Sequence, residues 1–121
     1  MTKEERWLHS AYELGLALDE KTANAIRSQI SLMIMARKTA IHYEILQVSR
    51  NSAANTPYTP DDRVANFVKD TETEIQCILG SLRFQDYACT SLTIDRWNTQ
   101  LMEAIQSYPC FKGIDLTGLI S

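Results

Sequence analysis

The sequence predicts an all-α protein. Apolar residues recur every three or four positions through most of its 121 residues, and two stretches have the form of helix starts. Only 4 Gly and 3 Pro are present, too few for the turns of a many-stranded sheet. A hydrophobic fraction of 45% against 22% charged residues is globular composition, and a chain of this length forms one domain able to bury a core.

Thr2 followed by Glu5 has the form of a capping box, so a first helix is expected over about 3–18, with Trp7, Ala11, Leu14 and Leu18 on one stripe. Gly15 and the polar run Asp19-Glu20-Lys21-Thr22 allow a break. The stripe resumes at Ala23 and continues through Ile26, Ile30, Met33, Ile34, Ala40, Ile41, Ile45 and Val48, predicting a second helix over about 22–48. Arg37 is the one charge inside that stripe. Ser49 to Tyr58 has no periodicity and many turn formers, and reads as the long connection.

Thr59-Pro60-Asp61-Asp62 then offers an N-cap, a proline at the first helical position and two acids at the positive end of the helix dipole. From there to Tyr108 no proline intervenes, so the third helix is expected over about 60–108, ended by Pro109 and followed by an apolar tail, 109–121. Unbroken, it would be about 70 Å long at the rise of an α-helix. One chain of this size cannot cover both sides of such a rod. The expected architecture is therefore a long antiparallel helical hairpin that pairs with a second copy into a four-helix bundle, a homodimer that a monomeric mass in sedimentation would exclude. Gly80-Ser81 is where the helix would break if one chain folded back on itself.

The charge of -3 argues against a nucleic-acid surface, which needs a clustered basic face. The N-terminus lacks an apolar signal core and no apolar run reaches the roughly 20 residues of a membrane span, so a cytoplasmic protein with no membrane insertion is expected. Cys77, Cys89 and Cys110 are odd in number and fit neither a disulfide framework nor a Cys-x-x-Cys site, and so read as free thiols. His9 and His42 are the two histidines, and neither has a metal-ligating partner one turn away. Phosphate-cradling glycine motifs and the nucleophile elbow are absent. No cofactor is expected, and any Mg²⁺ would be bound by the partner.

Arg37-Lys38-Thr39-Ala40-Ile41-His42 resembles the Arg-x4-6-His signature of the HEPN family of helical ribonucleases, which implies a pair acting on a phosphodiester. A second pattern is longer. In Leu82-Arg83-Phe84-Gln85-Asp86-Tyr87-Ala88-Cys89-Thr90, polar Gln85 and Asp86 interrupt an apolar seam, and such residues are costly unless satisfied or functional. One reading is a satisfied polar layer that sets register. The other comes from similarity: Phe84-Gln85-Asp86 resembles the Phe-Gln-Asp-x-x-x-Gln signature of the chemotaxis phosphatase family typified by CheZ.

That resemblance implies a signalling module that docks to a phosphorylated response-regulator receiver domain and promotes its dephosphorylation. It makes Asp86 the docking acid, with Arg83 and Phe84 beside it on the partner-binding surface. The family's catalytic glutamine would fall at position 90, where this chain has Thr90, so Thr90 and Gln85 are the catalytic candidates. Threonine is shorter and reaches less far into a partner's pocket. The C-terminal segment carries a single acid, unlike the acidic partner-binding tail of that family. On this reading Asp86→Ala weakens receiver binding and leaves the fold intact. The alternatives are a non-catalytic helical adaptor or assembly protein, or a HEPN-like ribonuclease.

Overall fold

The computed structural model describes residues 1–57, 59 and 61–114; the distal part of the expected tail, 115–121, lies outside them. Four α-helices share one core: α1 (Lys3–Gly15), α2 (Glu20–Ala53), α3 (Asp62–Arg83) and α4 (Tyr87–Ser107), with a single 3-10 turn at Pro109–Phe111. No strand occurs among the described residues. The expected helix over 60–108 is two helices, and the chain reverses at Phe84-Gln85-Asp86. That reversal removes the reason for requiring a second copy, because α4 now covers the face of α3 that a straight rod would leave bare.

The helix starts follow capping chemistry. The Thr2 hydroxyl accepts from the Glu5 amide at 3.2 Å. Asp19 caps α2 by accepting from the Thr22 amide at 3.1 Å. Asp61, rather than the expected Thr59, caps α3 by accepting from the Arg63 amide at 3.0 Å, and Pro60 lies outside the described residues. The Thr22 hydroxyl holds the Asp19 carboxyl below the usual carboxylate range, and the Arg63 guanidinium does the same for Asp61. Groups lowered in this way stabilise the fold above their unfolded pKa, and that stability is lost as pH falls through the lowered folded value.

α2 continues to Ala53, through part of the expected connection. Its end is stabilised by Asn55, whose φ of 54° reverses the chain so that the Thr56 amide bonds the Asn51 carbonyl at 2.8 Å. α1 stops earlier than expected, at Gly15. A Cβ there would meet an Arg27 guanidinium nitrogen at 2.9 Å, so glycine permits the close approach of Arg27, which donates to the Tyr12 carbonyl at 3.1 Å and lies over the Tyr12 ring.

Ile30, Met33, Val64, Ile75, Ile78 and Leu101 are fully buried at the centre. Phe67 contacts Trp97 and meets Tyr108 and Phe111 edge-on, with the Phe111 centroid at 5.5 Å. The 3-10 turn after Pro109 folds back to insert Cys110 and Phe111 against α2 and α4. Arg37, the charge in the α2 stripe, is accommodated by a cluster spanning three helices. Its guanidinium bonds Glu4 of α1 at 2.8 Å, stands 3.7 Å from Glu72 of α3 and lies over the Trp7 ring, while Lys3 bonds Glu72 at 2.7 Å.

The inner face of α4 is Thr90, Thr93, Trp97, Leu101 and Ala104. Leu92, placed on the seam by its hydropathy, is exposed instead. The buried hydroxyls are satisfied in pairs across the α3–α4 interface. Ser81 and Thr90 approach to 2.6 Å, Cys77 and Thr93 to 3.6 Å, and the Trp97 indole donates to the Thr71 hydroxyl at 3.0 Å. Gln29 and Asn98 exchange amide bonds between α2 and α4. A polar layer of the register-setting kind is thus present, although it runs along the inner face rather than through Gln85 and Asp86.

Gly80 does not break the helix. It lies inside α3, and a Cβ added there would meet nothing within 4 Å. Gly80→Ala should therefore stabilise the protein by about 0.5–1 kcal/mol, because it removes unfolded-state entropy without a clash; urea denaturation should show a raised midpoint at unchanged slope. A lowered midpoint would mean that this helical geometry is wrong.

Candidate partner-docking surface

The motif that resembles the chemotaxis phosphatases lies in the turn between α3 and α4, not inside a long helix. Its residues are used by the backbone in sequence. Phe84 is the C-cap of α3, and Gln85 follows with a φ of 57°, the left-handed conformation usually given to glycine. The Gln85 amide bonds the Leu82 carbonyl at 3.1 Å and the Asp86 amide bonds the Ser81 carbonyl at 2.8 Å, which together make a Schellman end. Asp86 then starts the next helix by accepting from the Cys89 amide at 3.1 Å. Three residues stop one helix, reverse the chain and start another.

The sequence-derived site residues divide accordingly. Arg83, Phe84, Gln85 and Asp86 are contiguous and exposed, whereas Thr90 is buried one turn below them. The Thr90 hydroxyl lies 3.1 Å from the Asp86 carbonyl and 2.6 Å from the Ser81 hydroxyl, which itself lies 3.0 Å from the Ile78 carbonyl. Both hydroxyl protons are taken up among these contacts, so Thr90 has none left to donate to a water. Thr90 is a packing residue of the α3–α4 interface. Asp86 is likewise more than an external acid, because its carboxylate caps α4.

Phe84 is 87% exposed, more than any other large apolar side chain among the described residues. Its surroundings are built by three elements. Tyr87, half exposed, lines two adjoining depressions. One, of about 190 Å³, lies between the turn and the end of α1, where Leu14, Ala17 and Leu18 face Arg83 and Gln85. The other, of about 480 Å³, lies between the start of α2 and α4, lined by Lys21, Ala25, Ile26 and Ile94, and the buried Thr90 also borders it. Leu16, in the α1–α2 turn, is also exposed. Sequence reading gave no role to Tyr87, three residues beyond Phe84, and missed the α1–α2 contribution, which is far away in the chain.

Arg37 and His42 are not assembled into a shared site. Arg37 is held among Glu4, Glu72 and Trp7, and His42 is exposed beside Tyr43 and Cys110 on another face of α2. His9 pairs with Glu13 at 2.9 Å on the exposed face of α1. Cys77, Cys89 and Cys110 are free, and burial pushes the Cys110 thiol up to about 11. Among the described residues, no group of three or more His, Cys, Asp and Glu side chains is placed to hold a metal ion, and no helix is long and apolar enough to cross a membrane. Comparison with family models, with curated proteins and with solved structures finds no match for this chain.

The capping role of Asp86 changes what its substitution should do. Asp86→Ala is expected to destabilise the protein by about 0.5–2 kcal/mol, and Asp86→Asn, which keeps an acceptor at the cap, by much less. Equal denaturation midpoints for Asp86→Ala and the parent would show that the cap does not form in solution. Gln85→Gly should raise stability by about 0.5–1 kcal/mol by relieving the left-handed conformation.

Proposed function

We propose that the chain is a protein-docking module that engages its partner through the α3–α4 turn and acts without a catalytic hydroxyl of its own. The observation that carries this reading is Phe84, an aromatic side chain set in solvent on a turn that both flanking helices hold in place. An exposed aromatic on a rigid support is the usual form of an interface anchor, because little side-chain entropy is lost when it docks. Tyr87 and the two adjoining depressions extend the surface, and Arg83 makes no ion pair among the described residues.

The partner class comes from the resemblance of Phe84-Gln85-Asp86 to the chemotaxis phosphatases, and it is a phosphorylated receiver domain. The buried hydroxyl of Thr90 counts against the phosphatase role, and the same geometry favours one modified form of it. Gln85 presents its amide to solvent, so if the module also promotes dephosphorylation, Gln85 is the group that enters the partner's pocket. Receiver-bound Mg²⁺ would then supply the metal, and this chain none.

The test is binding of the full chain to a panel of receiver domains, with and without beryllofluoride as the phosphoryl mimic. Phe84→Ala should weaken the complex by on the order of 2 kcal/mol, while its thermal midpoint matches the parent because the side chain packs on nothing in the free protein. Unchanged affinity in Phe84→Ala would remove the turn from the interface. Failure of every receiver to bind the parent would remove that partner class. Gln85→Ala should slow any accelerated dephosphorylation with little change in affinity, whereas Thr90→Val should act on stability alone.

A further inference from the structure

We propose that a second site, distinct from the turn, binds a medium-chain aliphatic carboxylate. It lies about 27 Å further along α2, by helical rise, from the larger of the depressions that Tyr87 lines. There the helix, the 3-10 turn and Ile114 border an open groove of about 450 Å³, within the usual size range of small-ligand sites. Its apolar lining is Tyr43, Leu46, Ile114 and the buried Cys110.

The polar groups are few and of one kind. Lys38 and His42 stand one helical turn apart on the same face of α2 and line the pocket together, both exposed. Neither has an ion-pair or hydrogen-bond partner among the described residues. Thr39 also lines the pocket, but its hydroxyl proton is given to the Met35 carbonyl at 2.9 Å. Among the described residues no carboxylate lines the pocket.

An ammonium and an imidazole beside an apolar recess ask for a ligand with an anionic head and an aliphatic tail. A nucleotide or sugar would bring more polar groups than this lining can satisfy, since buried polar atoms without partners are costly. A simple carboxylate places its two oxygens between Lys38 and His42 and leaves the chain against Tyr43, Leu46 and Ile114. His42, left aside by the docking surface and by the ribonuclease resemblance, gains a role here as a hydrogen-bond donor to the head group.

The experiment is an NMR titration of the full chain with decanoate below its micelle concentration, compared with decanol and butyrate. Saturable shifts at His42, Tyr43 and Cys110 are expected with decanoate, and binding of decanol and butyrate should be weaker by about tenfold or more. The Lys38→Gln and His42→Gln double variant should lose about the same factor at an unchanged thermal midpoint, because both side chains are exposed; if it fails to fold, each single variant should show a partial loss. The proposal is overturned by decanol binding as tightly as decanoate, by undiminished binding in the variants, or by shifts confined to other residues. Concentration-dependent shifts at these residues without ligand would also overturn it, since they would mean that a second copy covers the pocket.

Discussion

The structure depends on the reversal at Phe84-Gln85-Asp86. A chain with an apolar stripe running from Val64 to Leu101 has to cover that stripe, and a straight helix of that length cannot do so alone. Folding α4 back against α3 meets the requirement within one chain, and the reversal takes only three residues because each fills a backbone role. The C-cap of one helix, the left-handed residue and the N-cap of the next are consecutive. Gln85 adopts its left-handed φ because the hydrogen bonds to the Leu82 and Ser81 carbonyls, and the packing of two helices behind them, outweigh a local cost of about 1 kcal/mol.

Polar groups then decide how the helices sit on one another. Along α3 and α4 the paired hydroxyls, the Cys77–Thr93 contact and the Trp97–Thr71 bond place threonines inside and leave Leu92 outside. Sliding the interface by one turn would leave the buried Trp97 indole N–H without its partner, at a cost of about 1–3 kcal/mol, whereas the serine and threonine hydroxyls keep bonds to carbonyls of their own helices and can therefore be buried in either register. Arg37 works in the same way between α1, α2 and α3. Its contacts with Glu4, Glu72 and Trp7 are sensible only in one arrangement of the three helices.

The same economy concentrates unpartnered groups at two places on the molecule. At the α3–α4 turn the backbone is fully employed, so Phe84, Arg83 and the Gln85 amide face solvent on a rigid support. Beyond Ala40 no side chain of α2 is buried, and Lys38 and His42 border a recess closed from the other side by the 3-10 turn. Both surfaces lie where the core ends.

Much of the architecture was legible in the chain. Helical periodicity, the Thr2 cap and the scarcity of glycine and proline set the fold class. Those signals are local, arising within one or two helical turns, and they survive without knowledge of neighbours. The position of the reversal was hidden because glycine at Gly80 advertised a break that the backbone did not need, whereas Gln85 carries no usual mark of a left-handed residue. The seam misled for a related reason: hydropathy ranks Leu92 above Thr90 and Thr93, yet a threonine whose hydroxyl is paired by Ser81 or Cys77 packs inside as well as an apolar residue. The sequence by itself determined the helical class and the Thr2 cap. Which faces meet, which hydroxyls are spent and which side chains are left for a partner were decided by tertiary packing, because hydrogen-bond pairing and shape fit between helices depend on residues far apart in the chain.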